Sequence, residues 1–170
     1  MIFRFWRSHS RAPLPLHPGY ALRLITALTV ALLSIALAAE EAGSSVDALV
    51  ARGEAQLAAR DIDGAVTTLT EAVEADPQST LAHTRLGGAY LLGQRYTAAI
   101  EQFQQAIGIA PDNAAAFIGM GMAYLHGGQA GPAKAAFTEA KRLDPDKAAD
   151  LDALIDRIDQ DNAIPHRPHP

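Results

Sequence analysis

The sequence predicts an all-α protein. The architecture is an α-α superhelix (a solenoid) of three helix-turn-helix repeats plus a C-terminal capping helix, preceded by an N-terminal signal or anchor segment. Three observations carry that prediction. Residues recur every 34 positions: Gly53, Gly87 and Gly121; Ala65, Ala99 and Ala133; Ala72, Ala106 and Ala140; Pro77, Pro111 and Pro145; and a large apolar side chain at Leu69, Phe103 and Phe137. Independent positions sharing one period signal stacked copies of a single unit. Within a unit the apolar residues keep helical spacing, as at Ala99, Ile100, Phe103, Ala106 and Ile107. The composition agrees: 49% of the chain is apolar but only 6% aromatic, which suits helices packed through small residues better than a sheet.

Residues 1–38 read as an address rather than as part of the fold. The stretch to Arg23 is basic, with Arg4, Arg7 and Arg11, and is broken by Pro13, Pro15 and Pro18. Leu24–Ala39 then runs for 16 residues without a charge, and Glu40 and Glu41 end it. A basic region, a short apolar run and a small-residue site at Ala36 and Ala38 follow the order of a secretory signal, with the expected cut after Ala38. An uncleaved anchor is the alternative, although the run falls short of the ~20 residues a spanning helix needs. Under either reading the positive charge lies on the N-terminal side, so the rest of the chain is expected outside the cytoplasm, periplasmic or secreted, or held at the inner membrane. Residues 39–45 are a linker.

The three units are read at 46–79, 80–113 and 114–147. In the second, Leu86, Ala89, Tyr90 and Gly93 mark the packing face of a first helix A. Gln94 and Arg95 make a short turn, and Ala99 to Ile107 form a second helix B. Pro111 stops helix B, because the residue before a proline is driven from the helical region. In the third unit Gly127, Gly128 and Gly131 punctuate the inner turn, and Pro132 is tolerated in a first helical turn. Gly87 and Ala99 let the two axes approach closely, while Tyr90 and Phe103 fill the space beside that contact.

These residues resemble the tetratricopeptide repeat family, whose signature is Trp-x2-Leu-Gly-x2-Tyr, then Ala-x3-Phe, then Pro. The second unit matches through Leu86, Gly87, Tyr90, Ala99, Phe103 and Pro111, with His83 in place of the Trp. The third matches through Phe117, Met120, Gly121, Tyr124, Ala133, Phe137 and Pro145. The first is degenerate: Arg52 replaces Leu, Gln56 replaces Tyr, and Leu69 replaces Phe, as expected of a terminal repeat with one open flank. The resemblance spans about 46–147 and identifies the chain as a member of an exported, bacterial type. It implies that helix A of each unit lines a concave side where partners bind.

A capping helix is expected over 148–161, where Leu151, Leu154, Ile155 and Ile158 form one apolar stripe and Asp150, Asp152, Asp156, Arg157 and Asp159 face water. The tail, 162–170, carries Pro165, Pro168 and Pro170 and has nothing to pack, so disorder is expected there.

Charge and composition narrow the function. The net charge is −5, but Arg4, Arg7, Arg11 and Arg23 sit in the first 38 residues, so the part from Ala39 onward stands at −9. An acidic body without a basic stripe argues against nucleic acid and against an anionic membrane surface, leaving membrane contact only to the N-terminal segment if uncleaved. No cysteine is present, which removes disulfides, thiolate metal sites and Cys nucleophiles.

The candidate partner-binding groove comprises helix A positions not spent on internal packing: Leu81, Thr84, Gly88, Leu91, Leu92, Ile118, Met122, Leu125 and His126, with Val50, Glu54, Leu57 and Ala115 beside them. An apolar stretch on a face that should be polar marks an interaction site. An amphipathic helix or apolar extended peptide is the natural ligand. The electrostatic clamp by which some family members hold a terminal carboxylate is missing, since the corresponding positions hold Val50, Glu54, Thr84, Gly88 and Leu91. Arg85 and Arg95, the nearby cations, read as solvated charges.

The function expected is therefore a non-catalytic scaffold or adaptor in the periplasm or cell envelope, binding another protein or peptide. The alternative is a self-associating structural repeat protein, anchored by an uncleaved N-terminal helix. An enzyme is not expected. His83 and His126 lie 43 residues apart with no paired carboxylate, Ser44 and Ser45 read as a helix N-cap, and Asp61 and Asp63 as turn residues. His166 and His169 make too weak a pair for a metal site, and no cofactor is expected.

Overall fold

The computed structural model describes residues 45–163, which form seven α-helices and one 3-10 turn. Helix α1 covers residues 45–58. It is followed by α2 (Ile62–Ala75), α3 (Thr80–Leu92), α4 (Tyr96–Ile109), α5 (Ala114–His126) and α6 (Ala130–Leu143). A 3-10 turn, Pro145–Lys147, leads into α7 (Ala148–Ala163). Consecutive pairs α1–α2, α3–α4 and α5–α6 are the A and B helices of three repeats, and α7 caps the last. The signal or anchor expected over 1–38, Ser44 in the linker, and the tail from 164 onward lie outside the described residues. Helix α7 runs two residues beyond the expected 161, because nothing in Asn162 or Ala163 breaks it; those two belong to the helix rather than to a disordered tail.

Turn chemistry repeats with the same period as the core. Arg60, Gln94 and Gly128, one repeat apart, each adopt a left-handed backbone with φ of 63°, 60° and 75°. Around each, two backbone bonds close the end of helix A: Arg60 N donates to Leu57 O at 3.0 Å and Asp61 N to Gln56 O at 2.9 Å, with equivalents at Gln94–Arg95 and Gly128–Gln129. This is a Schellman end, and only the third repeat gives it the glycine that favours positive φ. At the other end of each hairpin, Asp76 and Ala110 are extended, as a residue before proline must be. Helices A then restart on side-chain caps, Ser79 accepting from Ala82 N and Asn113 from Ala116 N. Asp61 is also a cap, accepting from Gly64 N to open α2.

The core is built in three sections along the stack. Val46 and Val50 of α1 meet Leu69 of α2 and Leu86 of α3; Phe103 of α4 meets Ala116 and Ala123 of α5; Phe137 of α6 meets Leu151 and Ile158 of α7. Tyr90 packs on both the first and second sections and links them. The repeated glycines exist for the large residue opposite. A Cβ on Gly53 would stand 2.6 Å from Leu69 Cγ, on Gly87 2.8 Å from Phe103 Cε1, and on Gly121 2.5 Å from Phe137 Cε1. No real Cβ sits that close to carbon, so each helix A approaches its helix B only because the side chain is missing.

The degenerate first repeat survives by polar substitution. Arg52 stays at the surface, donating from Nη2 to Thr68 Oγ1 at 3.0 Å and to Glu71 Oε2 at 3.2 Å. Gln56, at the position of Tyr90 and Tyr124, leaves its Oε1 buried with no hydrogen-bond partner among the described residues. His83, at the usual Trp position, is buried and acts as a strut. Its Nε2 lies 3.1 Å from Pro77 O, to which it donates, and its Nδ1 lies 2.8 Å from the Gln102 side-chain amide.

Candidate functional site: the wall of helices A

Helix α3 touches α5 directly, whereas neither α2 and α4 nor α4 and α6 come into contact. Helices A therefore sit closer together than helices B, and the stack must curve with its A helices on the inner side. The candidate residues lie on that side, but they divide into three groups.

The first group forms a cleft. Leu91, Leu92, Met122 and His126 line a depression of about 340 Å³ together with Gln94 and Tyr96. The ring of Tyr96 stacks on His126, with centroids 5.9 Å apart and planes 17° off parallel. Leu92 is 60% exposed. It also borders a second depression, of about 560 Å³, with Leu57, Ala58, Arg60 and Ile62. The clefts open where helix A ends and helix B begins, so the first residue of helix B joins the wall. Ile62 and Tyr96 are one repeat apart and both are large, a periodic signal that reading helices A alone missed.

The second group is accessible but lies apart from the clefts. Leu81, in the first turn of α3, is 44% exposed. At Gly88 an added Cβ would meet nothing within 4 Å, so this glycine opens the floor between Leu81 and Leu91 rather than serving a packing contact. Ala115 is also exposed.

The third group is spent on the scaffold, which corrects the expectation that these side chains are free. Val50 is 4% exposed and belongs to the first core section, because α1 meets α3 along that face. Thr84 is buried; its hydroxyl donates to Thr80 O at 2.8 Å and accepts from Asn113 Nδ2 at 3.1 Å, tying the second repeat to the third. Ile118 and Leu125 are half-buried against the third core section, as is part of Met122.

Electrostatically the wall is mild. Glu54 of α1 pairs with Arg85 of α3, both side chains under half exposed, and Arg95 lies 4.6 Å over the Tyr90 ring, so these two cations are already engaged, while Arg60 borders the second cleft. Exposed ion pairs of this kind are worth roughly 0–1 kcal/mol. Among the described residues no three His, Asp or Glu side chains gather where they could hold a metal ion, and no helix is long and apolar enough to cross a membrane. What the wall offers chemically is an apolar, aromatic-edged surface.

Two family models for the tetratricopeptide repeat match the chain, over residues 50–114 and 90–158, which together span more than half of it. The chain belongs to the tetratricopeptide repeat family. No curated protein matches it in sequence. Solved structures do resemble it. The first TPR domain of Spaghetti (RPAP3), bound to an HSP90 peptide, has a TM-score of 0.68 at 19% identity, covering 71% of this chain and 95% of that one. The second TPR domain of human RPAP3, in complex with an HSP70 peptide, has a TM-score of 0.65 at 23% identity, covering 69% and 98%. The type III secretion translocator chaperone SycD of Yersinia enterocolitica has a TM-score of 0.67 at 12% identity, covering 71% and 96%. At these identities the likeness is one of fold.

Proposed function

We propose that the chain is an exported adaptor of the cell envelope that holds an apolar peptide or helix of another protein along its inner wall. The exposure of Leu92 between two clefts carries the reading. Leu92 is 60% exposed and joins Leu57 and Ile62 of one cleft to Leu91 and Met122 of the other, and a contiguous accessible apolar surface of this kind marks a docking site. The peptides held by the similar domains, SRMEEVD and SGPTIEEVD, end in an acidic stretch. Here Val50, Thr84 and Gly88 stand where a clamp for such an end would need cations, and Arg85 is occupied by Glu54. A chaperone tail therefore does not suit this wall.

Export is supported by the order of residues 1–38: basic region, 16-residue apolar run, then Ala36 and Ala38. N-terminal sequencing of the mature protein tests it. A chain starting at Ala39 means a cleaved signal, an intact Met1 in the membrane fraction means an anchor, and a full-length cytoplasmic chain defeats the proposal. For the wall, Leu92→Asp is the decisive variant because its side chain is already largely solvated. Melting should stay within about 0.5 kcal/mol of the parent, as for exposed sites generally, while co-purification of the envelope partner should fall at least tenfold. Unchanged capture would place binding elsewhere. If the parent instead shows a mass that grows with concentration and Leu92→Asp abolishes that growth, the wall serves self-association.

A further inference from the structure

The two clefts on the wall are one site built twice. A step of 34 from Leu57, Ala58, Arg60, Ile62 and Leu92 of the larger cleft leads to Leu91, Leu92, Gln94, Tyr96 and His126, five of the six residues that line the smaller. Each cleft therefore opens at the same junction: the end of one helix A, the start of its helix B, and the end of the next helix A. Leu92 serves in both, standing in the larger cleft where His126 stands in the smaller. One further step puts Ala130 at the place of Ile62 and Tyr96, so the bulky side wall ends there.

The copies differ in size and charge. Met122, the sixth residue of the smaller cleft, has Gly88 at its place one repeat earlier, and Leu92 has Ala58. A Cβ on Gly88 would meet nothing within 4 Å. The earlier cleft is accordingly the roomier, about 560 Å³ against about 340 Å³. Arg60 at its edge is exposed and makes no ion pair among the described residues. The carboxylate of neighbouring Asp61 is turned to Gly64 N, and Gln94, the counterpart of Arg60, is neutral.

Spacing selects the conformation of what is held. Neighbouring helices A pack on one another, and packed helices stand ~8–10 Å apart, so equivalent points of the two clefts are separated by about that distance. A helix brings residues i and i+7 to one face about 10.5 Å apart. Residue i+4 then lies between them, over exposed Leu92. A β-strand returns to one face at roughly 7 and 13 Å and misses the second cleft. A polyproline helix returns at about 9 Å but leaves Leu92 uncovered.

We propose that the occupant is an amphipathic helix of another protein, lying across the C-terminal ends of α1, α3 and α5. An aromatic residue at i fills the larger cleft, an apolar residue at i+4 covers Leu92, and a Leu- or Met-sized residue at i+7 fills the smaller cleft. A carboxylate one turn before the aromatic residue faces Arg60. The proposal rests on the adaptor reading above and adds the partner's conformation, anchor spacing and polarity. Unequal clefts with a cation at one end hold such a helix in one direction only.

Three 18-residue peptides on an alanine–glutamine helical host test this. The reference carries Glu, Phe, Leu and Leu at i−4, i, i+4 and i+7. The second moves the last Leu to i+9, on the opposite face, and the third exchanges Glu for Lys. Binding to the full chain is read by fluorescence anisotropy at about 20 mM and 300 mM salt. The reference should bind at least tenfold tighter than the shifted peptide. It should bind at least threefold tighter than the lysine peptide at low salt, a gap that closes at high salt, where screening is short-ranged, and in Arg60→Gln. Gly88→Met, which offers the larger cleft the side chain that Met122 gives the smaller, should weaken the reference at least tenfold with helicity unchanged by circular dichroism. Equal binding of the reference and shifted peptides, lost in Leu92→Asp, would overturn the spacing and leave the adaptor reading standing. Failure of every peptide to bind would overturn the proposal, while capture of the envelope partner, measured separately, still decides the adaptor reading. A wild-type chain whose mass grows with concentration, and ceases to in Gly88→Met, would make the occupant a second copy and overturn the proposal too.

Discussion

Replacing Gly119 by Ala should destabilise this protein, although the change is among the most favourable a helix can receive. Alanine in a helix interior gains about 1 kcal/mol over glycine from backbone entropy alone. At Gly119, in α5, the added carbon would lie 2.5 Å from Phe103 Cε1 and 2.9 Å from Cε2, and closer still to Cζ. The ring has no room to retreat, because Phe103 is 2% exposed and its Cε1 and Cζ also face Gly87 of α3. Overpacking of a closed core costs roughly 1–3 kcal/mol, and a clash against a pinned ring belongs at the upper end. The net loss is then about 1–2 kcal/mol, or about 4–8 °C in Tm for a domain of this size. Gly88→Ala in α3 is the matched control. Its Cβ meets nothing within 4 Å, so it should stabilise by up to about 1 kcal/mol. Urea unfolding followed by circular dichroism reads both values. Because Phe103 spans the junction of the second and third repeats, Gly119→Ala should also broaden the transition as neighbouring repeats uncouple. A Gly119→Ala protein as stable as the parent, or more so, would refute the wedge and the close approach of α3 and α5 that depends on it.

Arg60 holds a left-handed backbone that costs an L-residue about 1–2 kcal/mol. Arg60→Gly should therefore gain about 0.5–1 kcal/mol in thermal unfolding after the added freedom of the unfolded chain is deducted. Gln56→Leu removes a buried oxygen with no partner and should stabilise the first repeat by about 1 kcal/mol, seen as slower hydrogen exchange in α1 and α2. Glu139 is held below the ordinary carboxylate value of 4.5 by hydrogen bonds from the Arg142 guanidinium, with its charge adding to the effect. Stability from a lowered carboxylate is present above its unfolded pKa and is lost as pH falls through the folded one. An NMR titration should find the Glu139 midpoint depressed and Arg142→Gln should restore it, with little change in Tm because the pair lies at the surface, where such ion pairs add little to stability.

Much of the architecture was legible in the amino-acid order because its causes are local. A helix needs apolar residues at 3.6-residue spacing, a stop needs proline, and a close crossing needs glycine or alanine; all of these act within a few residues. Their repetition at 34 multiplied a weak signal into a strong one, and it carried the cap as well, whose stripe of Leu151, Leu154, Ile155 and Ile158 packs as expected. The wall was legible only as a row of positions. Leu91, Leu92, Met122 and His126 do share a cleft, but Val50 and Thr84 do not belong to it.

The difference lies in what sets exposure. A side chain's place in its own helix follows from its own sequence, whereas the space in front of it is filled by other helices of the stack. Thr84 is consumed by Asn113, Gly119 is shaped by Phe103, and Tyr96 enters the wall from the next helix along. The order of residues alone therefore determined the unit, its two helices and the number of stacked copies. Tertiary packing alone decided which inner side chains remain open to a partner, because that is a property of neighbouring units and not of any single one.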